Sequence, residues 1–236
     1  MSSTTRGARA RARTEVTAAI KEEARRQLVA EGAAKLSLRA VARELGMASS
    51  AIYRYFPSRD DLLTALIIDA YDSLGEAAET ARAQASQEPP AGRWVAVCAA
   101  VRAWALAHPH EYALIYGTPV PGYTAPSTTI PAASRVALAL IGILREARQE
   151  SCLTPPALPD GLTPEAERMA ADFAPDLPPP VAVALVAAWA ELFGLVGFEV
   201  FGQFHRVVED RECFFRHAAC RLADSVGLTR SPATTG

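Results

Sequence analysis

Between Ser37 and Phe56 the chain reads SLRAVARELGMASSAIYRYF, and its polar side chains are of the kinds that meet base edges and phosphates. Arg39 can chelate the O6 and N7 edge of a guanine, a contact that discriminates by ~1–3 kcal/mol. Ala51 can offer a methyl to thymine, and Ala48, Ser49 and Ser50 are short enough to let a backbone approach closely. Ser37, Tyr53, Arg54, Tyr55 and the following Arg59 carry hydroxyls and charges suited to phosphate oxygens. This is chemistry of recognition. No nucleophile, base and orienter stand in a catalytic arrangement, no glycine loop cradles phosphate, and neither an enzyme nor a cofactor is expected. His108, His110 and Glu111 flank a proline with no second ligand cluster at a defined spacing, so capping and packing are expected there and no metal site is assigned.

Such residues need a frame. Leu38, Val41, Ala42 and Leu45 form a helical stripe that Ser37 can cap and Gly46 can end. A second short helix begins around Ala48, with Ile52 and Phe56 inward and Ser49, Ser50, Tyr53, Arg54 and Tyr55 outward. Two short helices around a glycine turn describe a helix-turn-helix that reads DNA. Its apolar faces need cover. Val16, Ile20, Ala24 and Leu28 supply a stripe upstream, ending near Gly32. Downstream, Ser58 and Asp61 occupy capping-box positions before Leu62, Leu63, Leu66, Ile67, Ala70 and Leu74.

At these residues the chain resembles the N-terminal domain of TetR-type transcriptional regulators. The likeness lies in Leu36-Ser37-Leu38-Arg39, Leu45-Gly46, Ile52-Tyr53-Arg54-Tyr55-Phe56 and Ser58-Arg59-Asp60-Asp61-Leu62-Leu63. It implies an all-α fold in which a three-helix DNA-binding domain is joined by a long helix to a helical ligand-binding and dimerisation domain. Our boundaries are 1–13 for a disordered basic arm, 14–57 for the DNA-binding domain, 58–86 for the connecting helix, 87–228 for the second domain and 229–236 for a disordered tail. The tail region is similar to a subgroup with a Trp, His and Gly signature. Trp189 and Gly194 match, whereas Phe193 stands at the histidine position.

Charge follows the same division. Net charge is only -2 over 236 residues, but up to Arg59 there are twelve basic against five acidic residues, and beyond it twelve against twenty-one. A basic head is drawn to phosphates and an acidic body is held away. In the arm, Arg9, Arg11 and Arg13 either add phosphate or minor-groove contacts or simply lie in solvent. Cys98, Cys152, Cys213 and Cys220 lack paired metal spacing and read as reduced thiols in a cytoplasmic protein, with a redox role for Cys213 and Cys220 conceivable. The arginines at the N-terminus precede no apolar run, so no secretory signal is expected.

From Val181 to Phe204 the sequence is apolar nearly all round, interrupted by Glu191 and Glu199. Those acids and the proline-rich approach argue against a membrane span. A helix greasy on every side is then buried on every side, by its own core and by a second subunit. Together with 210–226 it predicts a four-helix homodimer seam. Two copies of the DNA module should occupy successive major grooves of a palindromic double-stranded operator, ~34–36 Å apart. The resemblance further implies a small apolar or aromatic ligand that releases DNA, so that the regulator is a repressor. Trp94, Trp104, Tyr112, Tyr116, Leu140, Phe193 and Phe198 are the candidates to line its pocket. For Glu199, an arginine or helix end across the core or seam is the expected partner. An architectural DNA-binding dimer without a ligand is the alternative.

Overall fold

The structure, a computed structural model, describes residues 2–228. The tail expected at 229–236 lies outside the described residues. In chain order the helices are α1 (Ser2–Glu31), α2 (Leu38–Glu44), α3 (Ser49–Ile52), α4 (Arg59–Gln84), α5 (Pro90–Ala107), α6 (Pro109–Tyr116), α7 (Ile130–Ala133), α8 (Arg135–Gln149), α9 (Thr163–Phe173), α10 (Pro179–Val200) and α11 (Arg211–Ser225). Short 3-10 turns occupy Ala33–Lys35, Ser127–Thr129 and Asp160–Leu162. Among the described residues there is no named strand, and the fold is all-α.

The arm expected to be disordered is instead the first part of α1. Alanine and arginine alternate from Ala8 to Arg13, and both rank among the best helix formers, so the helix does not stop where the apolar stripe stops.

The chain divides into two compact units. The first comprises residues 1–71 and 110–130. Its core joins Ile20 and Ala24 of α1 to Leu38, Val41 and Ala42 of α2, Ile52 of α3, Phe56, and Leu62, Leu63 and Leu66 of α4, all buried. Each such leucine or isoleucine contributes ~1.5–3 kcal/mol when fully removed from water. Gly46, at φ 63°, makes the left-handed turn that lets α3 double back onto α2. Ser58 begins α4 by accepting the Asp61 N–H at 3.1 Å, and its own hydroxyl donates to the Asp61 carboxylate at 2.7 Å. The aspartate is too short to reach back to the Ser58 N–H as a glutamate does in a capping box, and takes the hydroxyl proton instead.

Residues 110–130, expected in the second domain, pack with the first compact unit. Leu114, Ile115, Val120 and Tyr123 pack on its core. Arg25 Nε donates to Glu111 at 2.9 Å, the Thr64 and Tyr123 hydroxyls pair at 2.9 Å, and Tyr71 donates to the Ile115 carbonyl at 3.4 Å.

The second unit holds residues 72–109 and 131 onward. The later part of α4 and α8 meet through a reciprocal device: the Arg135 side chain lies over Gly75, and the Arg82 guanidinium lies over Gly142. Arg135 pairs with Asp72 at 3.0 Å and Glu79 at 2.7 Å, while Glu146 takes both Arg82 and Arg93. The proline-rich stretch after α8 is tied down by Thr154 N–H donating to the Gly227 carbonyl at 2.8 Å and by a bridge between Leu153 and Leu228.

Within one chain α10 buries one face only. Val181, Leu185, Leu192 and Val196 are buried, whereas Val186, Glu191, Gly194 and Phe198 are exposed. By length and composition this helix is long and apolar enough to cross a membrane, yet Glu199 near its end is buried in a bidentate pair with Arg102, at 2.6 and 2.8 Å. Arg102 also reaches Glu212 and lies 5.3 Å from the Phe215 ring centre, so it fastens α10, α5 and α11 together. The expected partner of Glu199 is therefore an arginine within the same unit. Gly194 has open space where a side chain would start, and Gly202, at φ 81°, ends the helical run.

Candidate nucleic-acid interface

Ser37 is the N-cap of α2, accepting the Ala40 N–H at 3.4 Å. The cap fixes the first turn, from which Arg39 projects to the exposed side while Leu38 enters the core. Arg43, one turn later, is exposed on the same helix and extends the basic face; the i, i+4 spacing from Arg39 was its only signal in the sequence. Ala48, Ser49 and Ser50 are all exposed at the entry to α3, and Ala51 is half-buried. Past the end of α3, Tyr53 is 42 % exposed and Arg54 is exposed, whereas Tyr55 is half-buried. The structure thus brings Arg39, Ser49, Ser50, Tyr53 and Arg54 to the solvent side of one small core. Together these side chains supply guanidinium, hydroxyl and phenol donors with no acidic group on α3.

Arg59 differs. Its guanidinium donates to the carbonyls of Ala33 at 2.8 Å, Leu36 at 3.2 Å and Ala34 at 3.3 Å, and it pairs with Asp60. It closes the turn between α1 and α2, whereas the sequence alone sets it toward phosphate. Arg13, which sequence reasoning placed in a loose arm, is held against the end of α3. Nothing in the motif from Ser37 to Phe56 signals a partner for Arg54 that lies 41 positions upstream.

The residues expected to line a ligand pocket divide. Tyr112 and Tyr116 belong to the first unit, with ring centres 5.2 Å apart and Tyr71 5.9 Å from Tyr116. Burial, reinforced by Tyr123, pushes the Tyr71 hydroxyl above its ordinary range; burial raises Tyr112 and Tyr116 further. The other five lie in the second unit. Trp94 and Leu140 are fully buried, Trp104 donates to Ser73 at 2.9 Å, and Phe193 lies 6.1 Å from Trp189. Phe198 stands outside, 54 % exposed, against Phe204. Among the described residues Trp94 has the one buried indole N–H with no hydrogen-bond partner. His108 Nδ1 donates to the Trp104 carbonyl at 2.9 Å and its ring stacks on the Trp104 indole, which is the capping and packing expected of it. No group of three or more potential metal ligands occurs among the described residues.

A buried helical pair with a basic, hydroxyl-rich outer face, followed by an all-helical second unit, defines a helix-turn-helix regulator. Comparison agrees with it. Residues 20–66 match the bacterial regulatory proteins of the tetR family, and residues 94–222 match the tetracyclin repressor-like C-terminal domain. The chain is 40 % identical over 201 residues to the HTH-type transcriptional regulators Rv1816 of Mycobacterium tuberculosis and Mb1846 of Mycobacterium bovis, covering 84 % of this chain and 86 % of each relative. Among solved structures it is similar to the regulatory protein SCO4313, with TM-score 0.74 and 33 % identity over 91 % of this chain and 98 % of that one. It also shares its fold with PfmR of Thermus thermophilus, with TM-score 0.56 and 18 % identity over 90 % and 99 % of the two chains. The chain belongs to the TetR family of transcriptional regulators, and its DNA-binding domain is the N-terminal one matched over residues 20–66.

Proposed function

We propose that this regulator is a homodimeric, ligand-released repressor of a palindromic operator, and that it works in the cytoplasm without catalysing a reaction. The observation that carries the reading is the pairing of two incomplete surfaces. On the first unit, Arg39, Ser49, Ser50, Tyr53 and Arg54 are exposed with base- and phosphate-binding groups and no partner element. On the second, Val186, Phe198, Phe201 and Phe214 leave apolar area uncovered, at 39–54 % exposure. A second copy would cover that face through α10 and α11, and Gly194 would then sit where a neighbouring helix needs room.

In this reading Arg39 reads a guanine edge, the α3 entry approaches the bases, and Tyr53, Arg54 and Tyr55 hold phosphates. The effector binds within the second unit. The unpartnered Trp94 N–H supports a ligand that is apolar or aromatic and carries a hydrogen-bond acceptor. To release DNA it must prefer the non-binding shape; a hundredfold preference corresponds to ~2.7 kcal/mol.

Selection of bound duplexes from a random pool is the test. Enrichment of an inverted repeat with half-sites one helical turn apart, and affinity that falls with salt at a slope near -0.9 per phosphate neutralised, is the expected outcome. Equal binding of all duplexes, or a flat salt response, would remove the proposal. Repression itself is read by placing the selected duplex over a promoter and measuring transcription with and without the protein.

A further inference from the structure

α3 has only four residues, Ser49–Ile52, too few to hold a helix by its own hydrogen bonds. Its N-terminal side is fixed by the Met47 N–H on the Ala42 carbonyl at 2.8 Å, and its inner face by Ile52. The outgoing end is held by the Tyr55 and Phe56 N–H groups on the Ile52 carbonyl, at 2.9 and 3.0 Å, and by buried Phe56, but between them the turn brings Tyr53 and Arg54 to the surface. There a side chain from α1 intervenes. Arg13 Nη2 donates to the Arg54 carbonyl at 3.2 Å, and the same guanidinium lies 5.4 Å from the centre of the Tyr55 ring. One planar cation thus satisfies a carbonyl at the end of α3 and lies over an aromatic ring beside it, a paired contact that suits a flat, weakly hydrated guanidinium better than a compact, strongly hydrated ammonium.

We infer that Arg13 is a positioning residue for sequence reading: it acts through Arg54 and Tyr55 to hold α3 at the angle the bases require, rather than by neutralising a phosphate. The inference rests on the DNA-reading proposed above. It has a distinct signature. Binding to random duplex depends on phosphate charge and tolerates small rotations of α3, whereas binding to a selected site does not.

The experiment uses the full chain and two probes: the duplex enriched by the wild-type protein, and a randomised duplex of equal length. Affinities for both are measured across a salt series for wild type, Arg13→Ala, Arg13→Lys, Tyr55→Leu and the Arg13→Lys/Tyr55→Leu double variant, with thermal melts confirming the fold. Both Arg13 variants should lose about tenfold on the selected duplex, keep their affinity for the random one within about twofold, and retain the wild-type salt slope to within one phosphate contact, ~0.9. The double variant should lose less than the product of the single losses, since both changes remove the same contact. Rescue by Arg13→Lys, with Arg13→Ala weakening both duplexes alike, would make Arg13 a phosphate contact and overturn the inference; so would variants that bind as wild type. If the wild-type protein itself does not distinguish the two duplexes, the regulator proposal fails in that first arm and takes this inference with it.

Discussion

Arg39 and Arg59 border the same small core, yet their surroundings set them to different tasks. Arg39 projects from the first turn of α2 into solvent, while Arg59 turns back onto three carbonyls of the α1–α2 connection. Replacing Arg39 by alanine should leave stability unchanged and remove ~1–3 kcal/mol of discrimination at one base position per half-site. Binding to duplexes substituted one pair at a time measures this: the profile should flatten at a single position. Arg59→Ala should do the reverse at first order, lowering the stability of the first unit by ~1–3 kcal/mol through the loss of charged hydrogen bonds, as read by urea unfolding. An unchanged unfolding midpoint would return Arg59 to the phosphate set. The sequence made the solvent side of α2 and α3 legible, because a stripe that defines the inward residues defines the outward ones too. It did not show which outward arginine could reach a backbone carbonyl, since the bends at Gly32 and Leu36 that bring those carbonyls within range leave no periodic trace.

At the scale of elements, helical stripes predicted α2, α4, α10 and α11 to within a few residues, since each must bury one face against something. What they bury it against was not legible. In sequence Leu114, Ile115, Val120 and Tyr123 would satisfy either core; their packing on the first core and the Arg25–Glu111, Thr64–Tyr123 and Tyr71–Ile115 contacts are what join 110–130 to the first unit. In the second unit two fastenings yield predictions. Gly227, at φ 90°, has the Thr154 carbonyl where a Cβ would stand, so Gly227→Ala meets both a strained backbone and a backbone collision. A cost of ~2 kcal/mol or more is expected, seen as a lowered midpoint and faster hydrogen exchange at Thr154. The second fastening is Glu146. Burial disfavours its charge, but hydrogen bonds from Arg82 and Arg93 outweigh that and hold its pKa below 4.5. Its folded value lies below the unfolded one, so its contribution is complete above the unfolded value and disappears as pH falls through the folded value. Glu79, held down by Arg135, acts in the same direction. Stability of the second unit should therefore decline below about pH 4.5, and Glu146→Gln should make that decline shallower while costing ~1 kcal/mol at neutral pH. A pH series of thermal melts on both proteins decides it.

For the whole molecule the question is what covers the outer side of α10. Val186, Phe198, Phe201 and Phe214 are each roughly half exposed, so completing their burial contributes ~1 kcal/mol apiece, and a twofold interface counts each side chain twice. That is enough to help hold a dimer and too little to tolerate a charge. Phe198→Glu would set a carboxylate in each copy into the same seam, in place of apolar area and on a helix that already exposes Glu191, and desolvation and like charge would oppose association. The variant should sediment as a monomer at micromolar concentration, with the helical content of the wild type. Its affinity for a palindromic duplex should fall at least about a hundredfold, because the second half-site no longer binds as part of the same molecule. Leu138→Glu provides the matched control: Leu138 of α8 is 52 % exposed, as apolar and as open as Phe198, but it lies on neither α10 nor α11. It should remain dimeric and bind as wild type. Dissociation by both variants would show that any added charge disrupts the second unit, whereas a dimeric Phe198→Glu would mean that the copies meet through another face.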